Sequence, residues 1–133
     1  MFEKQKFTKR QVEKYFNSAM RDFKIANNSE IPEVIFKFCY DSLLKIAITI
    51  CAKNNLRIKS RAGYHVELLK NLSEYLNEED IFIMSNEMRK KRNFDLYSGG
   101  VLISEKEALD YLERLKKIAA QAQKYLSANQ KLF

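Results

Sequence analysis

The sequence predicts an all-α protein, an up-and-down bundle of four to five helices. Three observations carry that prediction. The 133 residues include only three Gly and one Pro, too few for the turns of a sandwich or barrel or for a Gly-rich phosphate loop. Apolar residues recur at helical spacing through several long stretches. Two of those stretches open on a capping box, Thr8-Lys9-Arg10-Gln11 and Ser104-Glu105-Lys106-Glu107, in which side chains at both ends satisfy the orphan amides of a helix start. With 46% apolar and 31% charged residues, a chain of this length can bury a real core and stay in solution.

The elements follow in order. After Thr8, residues Val12, Tyr15, Phe16, Ala19, Phe23 and Ala26 form one apolar face, and Asn27-Asn28-Ser29 breaks the helix. Ser29 is expected to cap the next helix, where Pro32 is tolerated because it falls in the first turn. That second helix, about residues 31–53, is apolar nearly all round, from Val34 through Phe38 and Leu43 to Cys51. Its charges Lys37, Asp41 and Lys45 form a single stripe. Such a helix is central, covered by several neighbours or by neighbours plus a second copy of the chain. Residues 54–61 read as a basic linker without an acid, followed by a shorter helix with Val66, Leu68, Leu69, Leu72, Tyr75 and Leu76 inward. Asn77 is expected to cap a fourth helix, whose first turn Glu78-Glu79-Asp80 suits the positive end of the helix dipole. It places Ile81, Met84 and Met88 inward, and Gly99-Gly100 terminates it. Val101-Leu102-Ile103 is too short to make a strand without a partner run. From Ser104 the last helix carries Ala108, Tyr111, Leu112, Leu115, Ile118, Ala119, Ala122, Tyr125 and Leu126, with a fraying tail from Asn129. There is no repeat and no domain boundary, so residues 1–133 read as one domain with an ordered core at about 8–128.

Cys39 and Cys51 form neither a CxxC pair nor a disulfide framework and are read as reduced core thiols. The N-terminus has no signal-peptide run, and the most apolar window, Val34–Cys51, is interrupted by three charges and falls short of the roughly 20 apolar residues of a membrane span. The expectation is a cytoplasmic protein that does not enter the membrane.

A balance of 24 Lys+Arg against 17 Asp+Glu gives a formal charge of +7, which fits a polyanionic partner. A single histidine, His65, excludes zinc sites built from several histidines and paired-histidine catalysts. No metal and no cofactor is expected. At the start of the third helix, His65 can serve as a base or orient a neighbouring side chain through a hydrogen bond.

The sharpest local signal is Met88-Arg89-Lys90-Lys91-Arg92-Asn93-Phe94-Asp95-Leu96-Tyr97-Ser98-Gly99-Gly100. Four cations at a helix end suit the dipole and are commonly a solvated face. Here they run into Asn93, Asp95 and Tyr97. Arg92 and Asn93 stand about one turn from residue 97, so a guanidinium, an amide and a phenol can converge on one patch. A guanidinium fork takes phosphate, and an amide reads a base or ribose. Asp95, on the other flank, can orient the guanidinium. From the residues alone, the patch is either a binding or reaction site or a lock between helices.

The string Arg89-x-x-Arg92-Asn93-x-x-x-Tyr97-x-Gly99 resembles the motif of the HEPN superfamily of small helical bundles, in its bacterial branch. Gly63-x-His65 opening a helix with Leu68 and Leu69 behind it, and the capped C-terminal helix rich in Ala and Leu, extend the resemblance over roughly residues 10–126. Many HEPN proteins are metal-independent ribonucleases whose motif is an Arg followed a few residues later by a His. Arg92 matches the Arg and Asn93 the polar residue after it, but the His position falls on Tyr97. A phenol, with a reference pKa near 10, is a poor general base for a ribose hydroxyl, so the ribonuclease motif is incomplete. The resemblance implies an RNA- or nucleotide-linked role, as the toxin-like partner of a nucleotidyltransferase in a toxin–antitoxin or defence system, and pairing of the chain as a homodimer. The catalytic candidates are then Arg92, Asn93, Tyr97 and His65. The nucleic-acid-binding candidates are Lys53, Arg57, Lys59, Arg61, Arg89, Lys90 and Lys91. A non-catalytic interaction or dimerisation scaffold is the alternative. A DNA regulator is weaker, because no helix-turn-helix signature is present.

Overall fold

A computed structural model describes the backbone of residues 1–98 and 103–131 and the side chains of residues 1–93 and 103–128. Five helices, α1 (Lys9–Asn28), α2 (Pro32–Lys53), α3 (Tyr64–Leu76), α4 (Glu79–Ser98) and α5 (Glu105–Lys131), make an all-α bundle. One small addition completes it: strands β1 (Phe2–Lys4) and β2 (Leu56–Ile58) pair antiparallel, with Phe2 opposite Ile58 and Lys4 opposite Leu56.

Both capping boxes form. Thr8 Oγ1 accepts from Gln11 N at 3.1 Å while Gln11 Oε1 accepts from Thr8 N at 2.8 Å. Ser104 and Glu107 make the same reciprocal pair at 3.0 and 3.3 Å. Two other caps differ from expectation. Ser29 closes α1, its N–H donating to Ala26 O, while Ile31 occupies the N-cap of α2 without a side-chain bond. Asn77 sits in the left-handed region (φ 54, ψ 46) and closes α3. Asn suits both a helix start and a left-handed stop, so residue type alone did not choose between them. The basic linker also differs, since it contains β2; Glu3 on β1 reaches Arg57 (3.1 Å) and Lys59 (3.8 Å) across the strand pair.

Helix α2 is central, packing against α1, α3, α4, α5 and β2, with Cys39, Tyr40, Leu43, Ile46, Ala47 and Ile50 fully buried. Val34, Phe38, Leu44 and Ile48 on the same helix stay partly exposed. The charged stripe is absorbed locally. Lys37 pairs with Asp41 at 3.1 Å, and Lys45 reaches across to Asp22 of α1 at 2.7 Å. The Asp22 side chain is 5% exposed, a buried carboxylate held by one cation. Cys39 and Cys51 are buried free thiols, and burial pushes both up to about 12. Gly99-Gly100 and Val101-Leu102 lie outside the described residues; Ile103, beside them, is buried in the core. Among the described residues, no helix is long and apolar enough to cross a membrane.

A cationic cleft between the start of α3 and the end of α4

The end of α4 meets the start of α3 in an open cleft of about 530 Å³. One wall is the 60–63 loop with Arg61 and the first residues of α3, Tyr64, His65 and Val66. The other is Arg89, Arg92 and Asn93. Helical spacing explains the second wall: at about 100° per residue, positions 89, 92 and 93 share one face. Gly63 explains the first. It is the N-cap of α3 at φ 82 and ψ 3, in the left-handed region that an L side chain seldom occupies. The chain turns there sharply, and Gly63 brings no capping side chain over the first amides of the helix.

Tyr40 of α2 does not line the cleft; it is fully buried and touches two residues that do, His65 and Arg92. Its hydroxyl lies 3.0 Å from His65 Nδ1, and the Arg92 guanidinium stands over its ring at 5.6 Å from the centroid. The Tyr64 ring meets the imidazole edge-on at 4.4 Å. Burial raises the Tyr40 phenol to about 12, against the opposing pull of Arg92 and Arg89, so it is protonated at neutral pH and has a proton to give. Burial, then Arg92 and Arg89, hold the imidazole below its ordinary 6.5, with Asp41 opposing them. His65 is therefore neutral at pH 7.

These two states fix a tautomer. Among the described residues, His65 Nδ1 is the one hydrogen-bond partner of the Tyr40 hydroxyl. If the phenol donates, its proton is satisfied, Nδ1 accepts, and the imidazole proton sits on Nε2. The opposite arrangement strands the phenolic proton in a buried site, which is unfavourable. With its proton on Nε2, His65 offers a donor to an incoming ligand and no free basic nitrogen.

The basic residues named from the sequence do not act as one surface. Arg61, Arg89 and Arg92 share the cleft with Asn93 and His65. Among the described residues, none of the three guanidinia has a carboxylate within 4.0 Å; Arg89 Nε donates to Asn86 Oδ1 at 3.0 Å. Lys91, on the opposite side of α4, is held by Glu107 at 2.7 Å and Glu87 at 3.5 Å, and donates to Tyr111 Oη at 2.9 Å. Burial works against its charge, but the bonds to Glu107 and Tyr111 prevail and raise its pKa. Tyr111 in turn donates to Glu87. Lys90 is exposed. Lys53 lines a different depression with Phe7, Lys9 and Asn17, and Arg57 and Lys59 pair with Glu3 across the β1–β2 sheet. Tyr97 and Asp95 lie outside the residues whose side chains are described.

Sequence reasoning missed Tyr40 as a site residue, counting it with the apolar cover of α2. A signal existed: a phenol in the middle of a fully apolar helix must find a partner for its hydroxyl.

Comparison with models of known protein families, with curated proteins and with solved structures finds no match for this chain.

Proposed function

We propose that this chain is a HEPN-like RNA- or nucleotide-binding module whose cleft takes a phosphate group. Supporting the family is the string from Arg89 to Gly99, its only specific motif. Supporting the chemistry is one observation: His65 and Arg61 lie far in sequence from Arg89, Arg92 and Asn93, yet all five line one cleft. Three guanidinia provide forked donors for phosphate oxygens, a neutral imidazole adds an Nε2–H donor, and Asn93 adds an amide able to read a base or ribose. In this reading the protein is the toxin-like component of a toxin–antitoxin or defence system, working as a homodimer beside a nucleotidyltransferase. Binding precedes any cleavage, because an imidazole whose Nδ1 accepts from Tyr40 is not set up as a general base.

The test is binding of a short single-stranded RNA at about 50 and 200 mM salt, with the parent, Arg89→Ala and Arg92→Ala. Phosphate contacts release counterions, so affinity should fall steeply over that range, and each variant should flatten the salt slope by about one. Parent binding that ignores salt, or variants that bind like the parent, would defeat the proposal.

A second reading has its own observation. Arg92 over Tyr40 and Tyr40 on His65 tie α4, α2 and α3 together, as a non-catalytic scaffold would require. Under it Arg92→Ala destabilises the fold by roughly 1–3 kcal/mol and RNA does not bind. Under the phosphate reading RNA binding is lost while thermal stability changes by a few degrees at most.

A further inference from the structure

The cationic cleft shares a residue with a second cavity. Tyr64 lines the cleft together with Arg89 and Arg92, and it also lines a second, half-open space of about 320 Å³ between α1, α2, α3 and the paired strands β1 and β2. That second space has a different chemistry. Ile48, Leu56 and Leu68 supply aliphatic walls, and Phe7 and Tyr15 supply rings set edge to face at 6.0 Å. Gln5, exposed and just after β1, brings an amide with both donor and acceptor atoms to the same space.

We propose that the two cavities are the two halves of one site for a nucleoside phosphate monoester, and this rests on the phosphate reading of the cleft. The phosphate sits against Arg89, Arg92 and His65 Nε2–H. The base enters the aromatic cavity, and the sugar passes along Tyr64 between them. A phosphate alone would use the cleft and leave the apolar space without a role. A backbone track that follows internal phosphodiesters needs no aromatic, largely apolar pocket beside it. A base satisfies both demands: its faces suit aromatic walls, and its edge suits the Gln5 amide. A largely apolar cavity with a few convergent polar groups is the usual form of a small-ligand site. The same chemistry is carried by a free mononucleotide and by the 5′-phosphorylated end of an RNA.

The experiment is calorimetric titration of the full chain with AMP, ribose 5-phosphate and adenosine at about 50 mM salt, repeated with Tyr15→Ala and Gln5→Ala. Both substitutions fall on exposed residues, so the fold survives them. AMP should bind at least tenfold more tightly than either ribose 5-phosphate or adenosine, and Tyr15→Ala should bring AMP down to the level of ribose 5-phosphate. Comparing 5′-phosphorylated with 5′-hydroxyl RNA then separates the sources: a phosphorylated end that outbinds AMP identifies an RNA terminus, and equal affinity identifies the free nucleotide. If AMP and ribose 5-phosphate bind alike, or neither variant weakens AMP, the two-part site is refuted while the phosphate reading stands. If adenosine binds as tightly as AMP, the aromatic cavity works without the cleft and the proposal is also refuted. If neither RNA nor any phosphate ligand binds, both readings fall together.

Discussion

Replacing Tyr40 with Phe removes a single oxygen from behind His65 and reports on the electrostatics of the cleft. The lost bond is the 3.0 Å contact to His65 Nδ1. Phe fills the same volume, so no large cavity opens, and the main loss is a hydrogen bond to a half-buried acceptor, about 1–2 kcal/mol. At ~2.1 cal/mol/K per residue, 133 residues have an unfolding entropy of about 0.28 kcal/mol/K. The melting temperature should therefore fall by about 4–7 °C. The more telling change is in the imidazole. Because His65 is the sole histidine, nitrogen-resolved NMR of the imidazole gives one unambiguous signal. The parent should show the Nε2–H tautomer at pH 7.5 and a pKa below 6.5. In Tyr40→Phe the donor that favoured neutral Nδ1 is gone, so the tautomers should mix and the pKa should rise, while burial and the two arginines still hold it under 6.5. An Nδ1–H tautomer in the parent would refute the reasoning, since His65 would then present a basic nitrogen to the cleft.

Further expectations concern pH, the buried charges and the thiols. The depressed His65 pKa means the unfolded chain takes up a proton first as pH falls. Its contribution to stability is intact above about 6.5 and declines below it, until the folded imidazole also titrates; a pH series of melting curves should lose part of this slope in His65→Gln. Phosphate-ligand affinity should move the opposite way and strengthen on acidification through the same window, because a protonated imidazole adds a charge to the site. Asp22→Ala leaves the partly exposed Lys45 without its 2.7 Å partner and should cost about 1.5–3 kcal/mol by urea denaturation, the range of a hydrogen bond to a charged group, against little for Asp41→Ala on the exposed pair. Lys91→Met should lower stability through the loss of Glu107, Glu87 and Tyr111 contacts yet leave the salt slope of RNA binding unchanged, since Lys91 faces away from the cleft. Cys39 and Cys51, buried with thiols near 12, should react with a thiol reagent only as fast as the protein unfolds.

Local signals were legible in the sequence and long-range ones were not. Thr8 and Ser104 open helices because a capping box is complete within four residues. The inward faces of α4 and α5 follow from spacing, and Ile81, Met84, Met88, Ala108, Leu112 and Leu115 are all buried as that spacing requires. Asn77 and Ser29 were placed on the wrong side of their boundaries, because a short polar side chain serves a helix end as well as a start. Strands β1 and β2 escaped notice because three residues are too short a run for alternation to register; their pairing depends on Met1 O accepting from Lys59 N and on the Glu3 ion pairs, which are contacts across more than fifty residues. At the site, the i, i+3, i+4 grouping of Arg89, Arg92 and Asn93 could be read directly. Its meeting with His65 could not, because it depends on how α3 and α4 pack and on the left-handed turn at Gly63. The run Arg89-Lys90-Lys91-Arg92 looked uniform as sequence, and only the position of α5 divides it into cleft residues and an anchor.

The most direct test of the account is the His65 imidazole resonance followed during titration with a short single-stranded RNA at about 50 mM salt. The account predicts a shift that saturates with the same dissociation constant as filter binding, reverses at about 200 mM salt, and is absent in Arg92→Ala. An imidazole signal that stays fixed while RNA binds, with the backbone amides of Arg57 and Lys59 moving instead, would place the binding surface on the β1–β2 sheet and contradict it.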